Sequence, residues 1–414
     1  MFLTRNTHIK IGRCCLLVIA ALALSMHANA AGKEKLSKAT TQSVSQVAEV
    51  AVKASGGHVG TPDPIPFGVP QKAPPYLRTT FDWLLAHIPV GESPLVTQTF
   101  MLAHTKIAFS AWTTAPWADL ISEDIFREAI LPYASISETR ELWIADMRAA
   151  CLPLVAHATS PAQAAVILNQ TVFNHFNVHY STLRERADQS PSESIKSGLA
   201  SCSGLSIFLV DACRSVGVPA RMVGVPMWMD GSGNHSWVEI WDGAAWRYTG
   251  ADEPIGDQLD IGWFSDRASH QSNANPENAI YSITWRNTGI LFPLVYDETR
   301  ASAWCVDVTD RYTAVSNPLG PNELLVRVAV RQQAGSAREI SAVQAVVDNL
   351  IVASGNSKDE RSDLNDSLEL IVPKDRFNAG DVSWLIDGFA PAAIDQHVLP
   401  DASINMTLVK QLGG

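Results

Sequence analysis

Cysteine is scarce in this chain, and its scarcity excludes one class of exported protein. The 414 residues include only six cysteines, and two of them, Cys14 and Cys15, lie among the first thirty residues. The others are far apart in the sequence: Cys151, Cys202, Cys213 and Cys305. A small domain stabilised by disulfides needs many closely spaced cysteines. The sequence therefore does not encode a disulfide scaffold, although one bridge is still possible.

Basic residues are outnumbered and do not cluster. Lysine and arginine total 31 against 42 acidic residues, which gives a formal net charge of −11. A protein that binds the phosphate backbone of a nucleic acid needs a concentrated basic surface. We therefore predict that the chain has no nucleic-acid partner.

The sequence also lacks an apolar run long enough to span a membrane comfortably. The unbroken apolar stretch over residues 14–24 is short, follows the basic residues Arg5, Lys10 and Arg13, and precedes the tripeptide Ala28-Asn29-Ala30. This order is typical of a secretory signal peptide. We expect cleavage after residue 30, which leaves a net charge of −14, and a periplasmic or extracellular protein with no other membrane association. The alternative is an uncleaved N-terminal anchor.

Changes in pattern divide the chain into five segments. Residues 1–30 form the signal peptide, and residues 31–75, polar and then rich in Gly and Pro, form a linker or extended arm. We predict a helical region over residues 76–164, a mixed core over residues 165–314 and a β-sandwich over residues 315–414. No internal repeat is found.

Capping signals and side-chain periodicity support this division. Helix starts are predicted at Ser93-Pro94, at Ser135 with Glu138 in a capping box, and at Ser160-Pro161. Near the other end, Leu324, Val326, Val328 and Val330 alternate with polar residues, as in a half-buried strand. Short alternating strands separated by turn residues favour a β-sandwich.

The middle segment contains an isolated thiol in a reactive setting. In GLASCSGLSIFLVDACRSVGVPAR, residues 198–221, apolar residues recur at helical spacing after Cys202, and Ser201 or Ser203 can cap the helix. A cysteine at a helix N-terminus faces unpaired backbone N–H groups and the positive end of the dipole, and both favour the thiolate. The same N–H groups can receive an oxyanion.

A base and an acid follow in an order that suits a thiol nucleophile. His235 opens an alternating strand, HSWVEIW, and Asp242-Gly243 predicts a hairpin turn. Asp252 ends the returning strand, and adjacent strands are about 4.8 Å apart, so its carboxylate can reach the imidazole. Glu253 is the alternative acid. A nucleophile, a base and an orienting acid are the parts of a catalytic triad.

These motifs resemble the transglutaminase-like superfamily, which includes cysteine proteases and amidases. The matching elements are ASCSG, VGVPAR, HSWVEIW and AAWRYTGAD, within about residues 165–255. The resemblance implies an α+β, papain-like core in which a helix carrying the cysteine packs on an antiparallel sheet. It also implies Cys202 as nucleophile, His235 as general base and Asp252 as orienting acid.

One departure from the family pattern concerns the oxyanion. Cross-linking transglutaminases place a Trp upstream of the cysteine, whereas the nearest upstream Trp here is Trp143. Gln189 is our candidate for the second oxyanion donor, and Trp228 and Asn234 are candidates for substrate binding. The missing Trp favours hydrolysis over cross-linking.

Two other polar groupings suggest metals, and we assign neither a ligand role. His175 and His179 are spaced as half a zinc site, but no further ligand lies nearby in the sequence. The residues of KDERSDLND, which include Asp359, Asp363 and Asp366, lack the Gly and terminal Glu of an EF-hand and predict a solvated turn. We predict neither a metal nor a cofactor.

The sequence thus predicts an exported thiol hydrolase that cleaves a peptide or carboxamide bond through a thioester. Its substrates would be peptides or proteins, and cell-wall peptides are within reach of the compartment. The alternatives are an acyl-transferring cross-linker and a non-catalytic module that binds peptides or mediates adhesion.

Overall fold

The computed structural model describes residues 75–89, 92, 96–293, 303–314 and 319–411. All of them belong to one compact unit, Gly68–Gly414. The predicted signal peptide, almost all of the predicted linker and the Ser93-Pro94 cap lie outside these ranges. Within them, no helix is both long enough and apolar enough to cross a membrane.

The first part of the described chain is helical. Its α-helices are α1 (Pro75–Ala86), α2 (Gln98–Thr114), α3 (Glu123–Ala129), α4 (Ile144–Leu154) and α5 (Pro161–Phe176), and a 3₁₀ turn spans Ala118–Leu120. Ser160 caps α5 as predicted, because its side chain accepts a hydrogen bond from the Gln163 N–H. The predicted boundary between residues 164 and 165 falls inside this helix.

The predicted capping box at Ser135 is wrong. The Glu138 carboxylate accepts hydrogen bonds from the backbone N–H groups of Ser135 and Ile136, at 2.5 and 2.8 Å. These bonds order an irregular turn, and α4 begins only at Ile144. The carboxylate thus satisfies a loop backbone, which a capping pattern in the sequence does not distinguish from a helix start.

A central helix and a five-stranded sheet form the core. The helix, α7, spans Cys202–Ser215, and the sheet has the order β5-β4-β3-β6-β7 with antiparallel neighbours throughout. The strands are β3 (Ala220–Val225), β4 (His235–Trp241), β5 (Trp246–Thr249), β6 (Tyr281–Thr284) and β7 (Trp304–Asp307). Short elements complete it: β1 (His179–Tyr180), α6 (Pro191–Ser197), β2 (Leu199–Ala200), α8 (Ser265–Ser269) and α9 (Thr309–Thr313).

Helix α7 is buried on all its faces, whereas the sequence pattern predicts burial of one face. Every residue from Ser203 to Ser215 is buried, because the sheet covers one side of the helix and α2, α4 and α5 pack around it. Arg214 is 1% exposed, and its guanidinium donates hydrogen bonds to four backbone carbonyls. A buried cation satisfied in this way holds the surrounding loops to the helix.

The C-terminal part is a sandwich of two sheets. One has the order β11-β8-β14-β13 and the other β10-β9-β12, and β8 and β14 form a parallel pair. The elements are β8 (Glu323–Arg331), β9 (Ala342–Val347), β10 (Leu350–Asn356), β11 (Leu368–Pro373), α10 (Lys374–Asn378), β12 (Ser383–Ile386), β13 (Ala393–Val398) and β14 (Ile404–Val409). As the alternation predicts, Val326, Val328 and Val330 point into the sandwich core.

The other face of β8 packs against the mixed core. Arg327 is only 4% exposed, and its guanidinium lies 3.1 Å from Asp230, which follows β3, and 3.0 Å from Glu369 on β11. Arg267 on α8 joins the network, 3.6 Å from Asp230 and 3.3 Å from Glu369. These buried ion pairs fix the sandwich against the core, which brings loops of the sandwich to the edge of the thiol site.

Candidate active site

Cys202 is the first residue of α7. Ser201 caps the helix by accepting a hydrogen bond from the Gly204 N–H at 3.0 Å, and its hydroxyl donates to the Ala187 carbonyl at 2.6 Å. The cysteine is partly exposed, whereas the three other described cysteines are buried, and all four are free thiols. The sulfur therefore lies at the positive, N-terminal end of the dipole of a capped helix of 14 residues.

His235 is the first residue of β4 and is 1% exposed. Aromatic rings enclose its imidazole at centroid distances of 4.7 to 6.1 Å: Trp263, Phe264, Trp237 and Trp228. Packing on this scale fixes the ring orientation, which a proton-transfer group requires.

A third residue completes the site, and it comes from the sandwich. Cys202 Sγ, a His235 ring nitrogen and an Asp363 carboxylate oxygen lie within 4.8 Å of one another. Asp363 Oδ2 is 3.5 Å from His235 Nδ1, and the carboxylate also accepts a hydrogen bond from the Cys202 thiol. Asp363 is 2% exposed. The structure thus brings together the predicted nucleophile, the predicted base and a carboxylate for which the sequence predicted a solvated turn.

The loop that presents Asp363 is built around a buried arginine. We call residues 357–366, between β10 and β11, the Arg338 loop. Arg338 is 6% exposed, and its guanidinium donates to five carbonyl oxygens of this loop at 2.9 to 3.4 Å: those of Asp359, Ser362, Asp363, Leu364 and Asp366. The loop is therefore a rigid turn rather than a solvated one.

The same loop is hydrogen-bonded to the mixed core. The Leu364 N–H donates to the Tyr180 hydroxyl at 2.9 Å, and the Asn365 amide donates to the Asn234 carbonyl at 3.0 Å. The Asn365 N–H donates to Asp363 Oδ1 at 2.8 Å, which orients the carboxylate. These hydrogen bonds hold Asp363 over the thiol.

Burial and charge act together on the thiol. Burial raises the pKa of Cys202 well above the ordinary thiol value, and the Asp363 carboxylate raises it further. The Ser236 backbone N–H opposes them by donating a hydrogen bond to the sulfur. The pKa of Asp363 is lowered despite its burial, because the imidazole and the thiol both interact with its carboxylate. Both shifts favour a neutral thiol beside an ionised carboxylate.

Asp252 does not occupy the predicted position of the orienting acid. Its Oδ2 lies 3.1 Å from Nδ1 of His179 on β1, and its backbone N–H donates to Asn169. The backbone at Asp252 has a φ of +64°, so the chain turns sharply where the sequence predicts the end of a strand. The turn carries the carboxylate to β1 instead of to the imidazole of His235.

Glu253, the alternative acid, lies closer to the imidazole. Its Oε2 is 4.0 Å from His235 Nε2 and accepts a hydrogen bond from the Trp263 indole at 2.9 Å. Burial raises the pKa of Glu253 well above its ordinary value, and the negative charges of Asp363 and Asp366 add to the shift. The imidazole therefore lies between two carboxyl groups, with Asp363 near one nitrogen and Glu253 near the other.

The other predicted site residues have structural partners. The Gln189 amide donates to Ser197 Oγ and to the Leu199 carbonyl at 3.2 and 3.0 Å, so both amide hydrogens are engaged away from an oxyanion. Trp228 is 1% exposed and packs beside the His235 ring. Asn234 is partly exposed at the start of β4 and receives the bond from Asn365.

A cleft of about 260 Å³ lies beside the site, between the core and the Arg338 loop. On the core side it is lined by Tyr180, Leu205, Asp252, Glu253 and Trp263, and on the loop side by Lys358, Arg361, Ser362 and Asp366. Its walls are mostly polar and carry charges of both signs. A substrate that reaches Glu253 by this cleft contacts both domains.

The structure separates the two histidines spaced as half a zinc site and pairs acidic residues of the Arg338 loop with basic ones. His175 ends α5 while His179 belongs to β1, so the two do not share a helix face. In the Arg338 loop, Asp366 pairs with Lys358 at 3.0 Å and Asp359 with Arg361 at 2.8 Å. The two histidines therefore do not form half a zinc site on one helix face, and the acidic residues do not form an EF-hand calcium loop.

Comparison with known proteins identifies the core. Residues 148–251 match the model of the transglutaminase-like superfamily. Two solved structures are similar in part: a protein from Cytophaga hutchinsonii proposed to be a cysteine protease, at 14% identity and TM-score 0.24 over 39% of this chain, and red sea bream transglutaminase, at 11% identity and TM-score 0.30 over 72% of it. This chain spans 57% and 66% of their respective lengths. None of the curated proteins compared matches it.

The family match agrees with the geometry. The matched segment contains both Cys202 and His235, and it includes the helix and the strand that position them. Residues 148–251 therefore form a domain of the transglutaminase-like superfamily.

Proposed function

We propose that this protein is an exported thiol hydrolase of the transglutaminase-like type, which cleaves a peptide or carboxamide bond through a thioester. The observation that carries the proposal is the convergence of Cys202, His235 and Asp363 within 4.8 Å, at the N-terminus of a buried helix. Export is supported by the signal-peptide pattern of residues 1–30.

The mechanism begins with transfer of the thiol proton to His235. Asp363 lies beside the imidazole and stabilises the imidazolium that forms, while the Ser236 N–H stabilises the thiolate. The thiolate then attacks the carbonyl carbon. The N–H groups of the first turn of α7, beginning with that of Cys202, stabilise the oxyanion. The imidazolium protonates the departing amine, and a thioester remains on Cys202.

Water resolves the thioester in a hydrolase, and a second amine resolves it in a transferase. We favour water because Trp143, the nearest Trp before Cys202 in the sequence, is 6% exposed and donates its indole hydrogen to the Tyr133 carbonyl at 2.9 Å. It therefore does not serve as the oxyanion donor of a cross-linking enzyme. The charged cleft suits a peptide, including a cell-wall peptide with both amine and carboxylate groups.

The first experiment is the pH dependence of iodoacetamide alkylation at Cys202, followed by mass spectrometry. We expect alkylation to depend on His235, so His235→Ala slows it at neutral pH, while the exposed His270→Ala leaves it unchanged. Peptide and carboxamide libraries are then screened with Cys202→Ser as the inactive control. An added primary amine distinguishes the reactions, because hydrolysis gives an acid and transfer gives a new amide.

Two outcomes contradict the proposal. If alkylation is equal in the wild type and His235→Ala across the pH range, the two side chains do not act as a pair. If a peptide ligand binds tightly but is recovered intact after prolonged incubation, the protein is a binding module. Incorporation of the amine in place of water assigns it to the acyltransferases.

A further inference from the structure

The position of Asp363 differs from that of an acid that only orients a histidine. An orienting acid bonds the ring nitrogen on the side away from the nucleophile. Asp363 instead accepts a hydrogen bond from the nucleophilic thiol itself while its Oδ2 lies 3.5 Å from Nδ1. The thiol, the imidazole and the carboxylate therefore converge on one point rather than forming a line.

The polar contacts of the imidazole are long, 3.5 Å to Asp363 and 4.0 Å to Glu253. Both ring nitrogens of His235 are buried, and neither makes a hydrogen bond of normal geometry within the described residues. A neutral imidazole close to a thiol and a carboxylate is a common metal ligand, and His235 lies within 4.8 Å of both.

The distances suit a tetrahedral metal ion. Zinc binds sulfur at about 2.3 Å and nitrogen or oxygen at about 2.0–2.2 Å, which puts its ligand atoms roughly 3.3–3.8 Å apart. The three donor atoms here all lie within 4.8 Å of one another, so small side-chain movements bring them onto one ion. A thiolate, an imidazole and a carboxylate together select zinc over calcium or magnesium.

Neighbouring residues hold the same three side chains in position. The Asn365 N–H holds Asp363 Oδ1 and leaves Oδ2 directed at the cluster. Arg338 fixes the backbone of the loop, and aromatic rings fix the imidazole. Three protein ligands leave the fourth position of a tetrahedral ion for water. A metal site needs this kind of outer support to bind with the ligands already in place.

We propose that Cys202, His235 and Asp363 bind one Zn²⁺ ion, and that the bound ion prevents the thiol from reacting. The Cys202 S–H bond breaks and an S–Zn bond forms, with release of one proton to solvent and no redox change. Zinc thus reversibly inactivates the site. Only this regulatory consequence rests on the proposed hydrolase function, because metal binding itself needs no substrate.

Cobalt is the probe for the ligand set. Co²⁺ added to the full chain under reducing conditions should give a thiolate-to-cobalt charge-transfer band at one ion per chain. Asp363→Asn should weaken binding at least tenfold, and Cys202→Ser should abolish the band. Asp359→Asn is the matched control and should bind as the wild type does, because Asp359 belongs to the same loop and pairs with Arg361 rather than with the three ligands. Circular dichroism checks that each variant folds.

Alkylation tests the consequence. Zn²⁺ should slow iodoacetamide labelling of Cys202 at least tenfold in the wild type, and a chelator should restore it. If Asp363→Asn does not fold, a measurement of proton release replaces the cobalt titration of that variant. Adding Zn²⁺ to the wild type should release one proton per chain, and adding it to Cys202→Ser should release none. Cobalt affinity that is undiminished in folded Asp363→Asn, or labelling unaffected by a saturating ion, overturns the inference. Dependence of labelling on His235 in metal-free protein tests the hydrolase proposal separately.

Discussion

At the scale of single residues, the site contains more negative charge than a thiol nucleophile needs. Asp363 touches the thiol and Glu253 lies near the far side of the imidazole. The two carboxyl groups have opposite shifts, since the pKa of Asp363 is lowered by its partners and that of Glu253 is raised by burial. Such divergence between neighbouring acids is common at sites that move protons.

Asp363→Asn should make the thiol more acidic. The carboxylate raises the pKa of Cys202, so its neutralisation lowers that pKa while the amide oxygen still accepts the thiol hydrogen bond. The alkylation profile of metal-free protein should move to lower pH. Asp366→Asn is the control and should leave the profile in place. A profile for Asp363→Asn that matches the wild type would show that the carboxylate does not act on the sulfur.

Glu253→Gln should stabilise the fold at neutral pH. The raised pKa of Glu253 means that the folded state holds its proton up to a higher pH than the unfolded state, whose carboxyl titrates near 4.3. Stability is therefore lost as pH rises through that window, and glutamine removes the loss. Urea unfolding should show the variant as more stable at pH 7, with the difference shrinking toward about pH 4. The exposed Glu277→Gln should show no such trend, and a constant difference at every pH would contradict the linkage.

At the scale of elements, the site depends on how one helix begins and how one loop is folded. The N-terminus of α7 is held by the Ser201 cap and its bond to the Ala187 carbonyl. The Arg338 loop is held by five bonds from one guanidinium. Both devices satisfy buried backbone groups, so the elements that carry Cys202 and Asp363 are fixed before any substrate binds.

Ser201→Ala should weaken both stability and thiol reactivity. Loss of a helix cap costs about 1 kcal/mol, and here it also frees the first turn that carries Cys202. We expect a lower unfolding free energy in denaturant and slower alkylation below the thiol pKa. Ser122→Ala removes the cap of α3, away from the site, and should cost a similar free energy without changing alkylation. Equal loss of reactivity in both variants would mean that the effect is global.

At the scale of the whole molecule, the sandwich contributes directly to the candidate site. It supplies Asp363 and one wall of the cleft, and it is fixed to the core by the buried pairs around Asp230. Breaking a buried ion pair leaves an uncompensated charge and is strongly destabilising.

Asp230→Ala should loosen this docking. It leaves Arg267 and Arg327 buried with one carboxylate fewer, at a cost of about 3–5 kcal/mol. We expect earlier unfolding in denaturant, with the sandwich separating first, and greater exposure of Cys202 to alkylation. The exposed pair of Asp348 with Arg376 provides the control, because Asp348→Asn should change little. If both variants unfold like the wild type, the buried network does not hold the domains together.

Local chemistry in the sequence was enough to predict the core elements. Ser160 caps α5, and a strand begins at His235 as predicted, although both faces of that strand are buried. These features depend on neighbours a few residues away. The predictions for Ser135 and Asp252 were wrong because, in both places, the carboxylate concerned binds a partner that local sequence does not specify: loop N–H groups for Glu138 and His179 for Asp252.

The sequence by itself determined the thiol at a helix start, the histidine at a strand start, the mixed core and the C-terminal sandwich, because capping and periodicity are short-range properties of the chain. Only the tertiary structure decided which carboxylate meets the imidazole. Asp363 reaches the imidazole because β8 docks on the core and because Arg338 holds the loop by hydrogen bonds to its carbonyl groups. Such a contact joins residues far apart in the chain, so no local pattern records it.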